Sequence, residues 1–274
     1  MERTSVTSVR SPAQGMSLWL AAWLYGRCSY DELIDAMADL GGPHTTTLEW
    51  GDTVEGAEFL RFLRKQVSIP LSGPGAVANP EAEPILRLVM SGPGDAPALP
   101  AGSYAAGAAA RSGAAIVLTD AAEPGLYQVL APQSLDSGTR WHRYEVDGPL
   151  PALPHLSPGE ADLALSDAVR SAAKLVQQRH PVSLRGVRSP RLTVGALSDV
   201  LAIPGMPDDV PIRAQRLFAR ADQVDAILEV AANAGSHSHA LDPELLPLRR
   251  TVRAARIVGV DYTQREWIRQ AATA

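Results

Sequence analysis

Apolar residues recur along this chain with two different periods, and the change of period divides it into three stretches. In the first, an apolar run at residues 17–25 (SLWLAAWLY) predicts a short helix closed by Gly26, which can adopt the positive φ of a helix end. Ser29 opens a second helix and Glu32, three residues on, completes a capping box. Leu33, Ile34, Met37 and Leu40 then share a face until Gly41-Gly42-Pro43 stops it. A third helix is predicted from near Asp52, with Leu60, Leu63 and Val67 on its buried side.

Between Pro70 and Pro154 the pattern shortens to strand length. Residues 85–90 (ILRLVM), 114–119 (AAIVLT) and 126–130 (LYQVL) read as strands. The Pro124-Gly125 step between the last two predicts a hairpin, and residues 139–146 (TRWHRYEV) supply a further antiparallel member. The tetrapeptide SGPG occurs at 72–75 and again at 91–94, as two turns rather than a structural repeat. Helical spacing then returns. Ser157-Pro158-Gly159-Glu160 combines an N-cap, a Pro at the first helical position and a Glu at the third. A basic connector follows at 179–190, a short helical piece at 197–201, and a helix at 212–233. Asp242-Pro243 starts a last helix through about 258, with Pro247 disturbing its first turns. The expected fold class is α+β, with helical N-terminal and C-terminal segments around a small, mainly antiparallel sheet. Residues 1–15 are expected to be a tail (Met16 being an alternative start), 16–154 an α+β region, and 155–274 a helical region packed on it.

With 46% hydrophobic and 20% charged residues among 274, the composition is that of a globular chain and excludes collagen-like or wholly disordered readings. Aromatic residues make up only 5%, so the core must be built mostly from Ala, Leu and Val. A net charge of -5 argues against a protein that mainly coats DNA or an anionic membrane. The run at 17–25 is about half a membrane span, and Arg27 before Cys28 is wrong for a lipoprotein site, so a cytoplasmic, non-membrane protein is expected. Twenty-three Arg against two Lys (Lys65 and Lys174) reflects coding bias before it reflects arginine chemistry.

Candidate chemistry is sparse. Cys28, the single thiol, sits before a helix N-terminus beside Arg27, which would lower its pKa; the plainer reading is a small residue filling a turn. His237-Ser238-His239 with Asp242 is the one ligand-like spacing, on a Gly-Ser loop that favours a solvated segment, so no metal and no cofactor are expected. GxSxG, GxGxxG and GxxxxGK[ST] are absent. Asp95 follows the second SGPG turn and either faces a pocket or merely ends a strand. Arg249, Arg253 and Arg256 share a helix face and could meet an acidic partner, but from Met206 onward nine Arg are balanced by nine acids, which favours salt bridging between helices. The first two helices are spaced as in a winged-helix domain, yet Thr45-Thr46-Thr47-Leu48-Glu49-Trp50 follows where a basic recognition helix would be needed.

Several segments carry a resemblance: WLYGRCSYDEL (23–33), LVMSGPGD (88–95), SGAAIVL (112–118), GLYQVLAP (125–132), RWHRYEV (140–146) and SPGEADLAL (157–165), followed by an Arg-rich last helix. In that order they resemble a family of uncharacterised Ala-, Gly- and Pro-rich proteins of actinobacteria. The resemblance implies an intracellular protein of co-linear architecture and supplies no activity and no site residues.

The leading expectation is a soluble, non-catalytic interaction or regulatory protein whose partner is another protein, with Arg249, Arg253 and Arg256 as candidate partner-binding residues. The alternative is a small-molecule-binding protein or enzyme with a pocket between sheet and C-terminal helices, lined by Ser91, Asp95, Trp141 and His142. A nucleic-acid-binding regulator using the winged-helix-like N-terminus is the third reading, disfavoured by the charge balance.

Overall fold

Six strands lie in one sheet in the order β2-β1-β6-β5-β4-β3. The computed structural model describes residues 12–47, 53–67, 80–120, 123, 125–179, 205–233 and 245–273. The strands are β1 (His44–Thr47), β2 (Thr53–Glu55), β3 (Leu86–Met90), β4 (Ala114–Thr119), β5 (Leu126–Leu135) and β6 (Gly138–Asp147). Every pairing is antiparallel except β1 with β6, which is parallel. The helices among the described residues are α1 (Ala13–Leu24), α2 (Tyr30–Asp39), α3 (Gly56–Gln66), α4 (Tyr104–Ser112), α5 (Pro158–Arg179), α6 (Ile212–Asn233) and α7 (Leu246–Thr273). The fold is α+β with helices at both ends, and none of these helices is long and apolar enough to cross a membrane.

Alternation along the strands gives the sheet two apolar faces. Leu86, Leu88, Ile116, Leu118, Leu130 and Trp141 pack against α1 and the second half of α7. Val89, Ala115, Val117, Val129 and Ala131 take the other face, under the alanines of α4. A separate core joins α5, α6 and the first half of α7 through Leu165, Leu217, Val224, Leu228 and Val252. Close approach between α6 and α7 depends on Gly259, where a Cβ would lie 2.5 Å from the Phe218 ring. The exposed edge of β3 is covered in part by α7, whose Gln264 Nε2 donates to the Leu86 carbonyl at 2.9 Å.

Both capping boxes form as expected, at Ser29/Glu32 and Ser157/Glu160. Each Glu is held below the usual carboxylate range because its carboxylate accepts the backbone N–H of the capping serine. Four boundaries differ from expectation. Helix α1 begins at Ala13, so residues 13–15 are buried helix instead of tail. Helix α3 begins at Gly56, because Thr53 and Val54 pair with the threonines of β1. No helix is expected within 70–154, yet α4 forms there, with Ser103 Oγ accepting from Ala106 N and Gly113 closing it at φ +78. Helix α7 runs on past 258 to Thr273: DYTQRE at 261–266 masks its periodicity, although Thr263 and Gln264 are buried. Pro247 falls in its first turn, where a missing N–H costs nothing. Most of the expected connector at 179–190, the short helix at 197–201, and His237, His239 and Asp242 lie outside the described residues.

Candidate functional site

The second SGPG segment is a two-residue turn. Asp95 N donates to Gly92 O at 2.9 Å and Gly92 N donates to Asp95 O at 3.0 Å, with Gly94 at φ +73, as a type II turn with Pro at its first central position requires. The turn leaves β3 pointing Asp95 at α7. Arg253 Nε donates to Asp95 Oδ2 at 3.0 Å, and Arg250 Nε lies 3.5 Å from Oδ1. Gly92 has no side chain for a reason: a Cβ there would sit 2.6 Å from Arg253 Nη1. The guanidinium therefore lies directly on the turn, and its Nη2 is closed from solvent without an acceptor.

This corner forms one wall of an open cleft of about 680 Å³. Met90, Ala96, Pro97 and Ala98 continue the wall, Ala161 and Ala164 of α5 face it, and Thr251 and Ala254 of α7 contribute to its lining. A strap at residues 151–156 closes one side, exposed along most of its length and anchored by half-buried Leu153. The prolines at 149, 151, 154 and 158 keep the strap from joining either the sheet or α5. A neighbouring depression of about 780 Å³ shares strap residues 152–156 and Ile257, and is lined by Glu83, Arg87, Asp261, Tyr262, Arg265 and Arg269. Arg265 bridges Asp261 at 2.8 Å and Glu83 at 2.9 Å, which raises its pKa despite partial burial.

The expected site residues separate. Ser91 and Asp95 are neighbours in the turn, but Ser91 Oγ donates to Ala109 O at 2.9 Å and is buried under α4. Trp141 and His142 lie on β6, three strands from β3 and so about 14 Å away at ordinary strand spacing. Trp141 is fully buried, and its Nε1 donates to His44 Nδ1 at 2.9 Å. Burial pushes the His44 pKa down to about 4, so the ring is neutral and Nδ1 accepts. His142 is on the opposite face, exposed, 2.7 Å from Gln133 Oε1, beside a separate depression with Arg111 and Tyr144. The four therefore do not converge.

The arginines of α7 also divide. Arg256 is 3% exposed, its Nη2 donating to Asp222 at 3.1 Å and Asp225 at 2.9 Å inside the helical core. Arg253 is buried as well, Arg249 half-buried, and of this row Arg250 alone presents an exposed side chain. On α6, Arg220 bridges to Asp162 of α5 at 2.8 Å. Arg250, His155 and the strap were not singled out by pattern; the spacing of prolines was the signal for the strap. Cys28 is half-buried, and burial together with Glu32 pushes its thiol up to about 12, the reverse of the expected lowering. Among the described residues no three His, Cys, Asp or Glu side chains are grouped to hold a metal.

Sheet and helical core make an α+β protein in which α6 and α7 contribute to both cores, with the cleft opening beside the strap. The chain belongs to the Rv1486c-like family: the model of the Rv1486c-like N-terminal domain matches residues 13–156 and that of the C-terminal domain residues 159–257. The division falls at residues 157–158, immediately after the strap. The chain is 27% identical over 287 residues to the uncharacterized protein Rv1486c of Mycobacterium tuberculosis, covering 91% of this chain and 96% of the relative. It is likewise 27% identical over 292 residues to the uncharacterized protein ML1804 of Mycobacterium leprae, with the same coverage of both. No solved structure matches significantly.

Proposed function

We propose that this chain is a non-catalytic binding protein, interaction or regulatory in role, whose working surface is the cleft at the junction of the two family domains. The observation that carries this reading is the cleft itself: about 680 Å³, within the range of ligand pockets, apolar along much of its lining and with a charged wall at one end. Its polar groups are those of recognition, with two guanidiniums, a carboxylate, Thr251 and His155. A nucleic-acid reading has less to rest on. Arg253 and Arg256 are committed to internal carboxylates, and strand β1 stands where a recognition helix would follow α2.

The test is a thermal-shift screen against metabolites run on the wild type beside Ala164→Trp, which fills the cleft from α5. A ligand at 100 times its Kd should add about 2.7 kcal/mol to the wild type and nothing to the filled variant. Equal shifts in both would place the working surface elsewhere.

A further inference from the structure

Resting on that reading, we propose that the cleft takes a small monocarboxylic acid with an apolar body, its carboxylate received at the Arg250–Arg253 end. The cleft lining carries two guanidinium charges and a single carboxylate, Asp95, so its charged end keeps an excess of one positive charge. Asp95 engages both arginines through Nε, one on each carboxylate oxygen. That arrangement holds Arg253 on the turn and leaves the terminal nitrogens of Arg250 to other acceptors. Arg250, with a side chain 72% exposed, lines this end of the cleft and is open to solvent. Arg253, buried along the same wall with its Nη2 closed from solvent, adds its charge to that end and leaves Arg250 as the donor a ligand can reach. Guanidinium forks match carboxylate geometry.

Charge count selects among anions. A monoanion balances the excess, whereas a dianion such as phosphate leaves net negative charge beside Asp95. The rest of the lining selects the body: Met90, Ala98, Leu153, Ala164 and Ala254 offer apolar surface and few hydrogen-bonding groups. An aliphatic or aromatic acid satisfies both ends, and a sugar phosphate or nucleotide neither.

The experiment is calorimetric titration of the full chain with octanoate, octan-1-ol and inorganic phosphate, repeated on Arg250→Gln and Ala164→Trp. Octanoate should bind best. Arg250→Gln, whose fold is checked by its urea midpoint, should weaken octanoate about tenfold, as loss of one charge-assisted hydrogen bond predicts, and leave octan-1-ol unchanged. Equal binding of octanoate and octan-1-ol, with both lost in Ala164→Trp, would overturn the carboxylate inference while leaving the cleft as the working surface. Phosphate binding as tightly as octanoate would overturn it also, as would octanoate binding unaffected by Arg250→Gln. Failure of all three probes on the wild type would overturn it without touching the screen proposed for the cleft.

Discussion

Arg253 and Arg256 lie three positions apart on α7 and meet carboxylates under opposite conditions. Arg256 enters the helical core, where Asp222 and Asp225 are 10% and 6% exposed in their side chains. Arg253 reaches out of that core to the turn after β3, where Asp95 is 20% exposed and borders the cleft. Within the core, one guanidinium shared by two carboxylates is a closed arrangement whose worth lies in holding α6 against α7. At the turn, one carboxylate is shared by two guanidiniums, and charge is left over. The same residue type is thus outnumbered by carboxylates in the core and outnumbers them at the turn.

The largest effect expected from breaking that contrast is at Arg256. Arg256→Ala should cost about 3–5 kcal/mol, because two buried carboxylates each lose a charge-assisted hydrogen bond from a buried cation, and the urea midpoint reads it directly. Replacing the whole cluster, with Asp222→Leu, Asp225→Leu and Arg256→Met together, should return stability to within about 1 kcal/mol of wild type. A triple variant as unstable as the single one would refute the structural account.

His44 imposes a pH dependence of its own, unrelated to either cluster. Its pKa falls from 6.5 to about 4 on folding, so the unfolded chain binds the extra proton. Stability from this group is complete above pH 6.5 and is lost as pH falls toward 4, by about 3 kcal/mol. Urea midpoints at successive pH values should show that slope in the wild type and a flatter one in His44→Gln.

At the turn the effects are smaller. Asp95→Asn should cost about 2 kcal/mol by removing the carboxylate from a buried arginine that the cleft partly solvates. Gly92→Ala should cost about 1 kcal/mol by lifting the Arg253 guanidinium off the turn. The pair should be less than additive, since each breaks the same contact, and a double-mutant cycle measures this. Smallest is Arg220→Ala: its bridge to Asp162 joins side chains 40% and 43% exposed, so the change in midpoint should correspond to less than about 1 kcal/mol.

What could be read from the sequence was local. Both capping boxes and the hairpin between β4 and β5 are written within a few residues, and each forms where expected. The four residues of β1 are too few for period-two alternation to register; their place depends on β6, nearly a hundred residues later. The alanines of α4 give no polar face against which an apolar one could be recognised. The site divides along the same line. Asp95 was visible because Gly-Pro-Gly fixes its turn, but its partner is 158 residues away, and helical spacing alone placed Arg253 and Arg256 on a surface. A periodic stripe says which residues share a face; it does not say what that face meets. Trp141 drew attention as a polar aromatic and proved to be satisfied by His44 across the parallel pair.

The last helix belongs to both halves of the molecule. Leu248 and Val252 sit in the helical core, whereas Trp267 and Ile268 sit under the sheet, with Trp267 Nε1 donating to Asp209 O and its own carbonyl accepting from Arg27. Two sequence modules are therefore fastened by one rod threaded through both, and melting either must strip the other of half its spine. Although the two family models part just after the strap, heat should release both in a single calorimetric event.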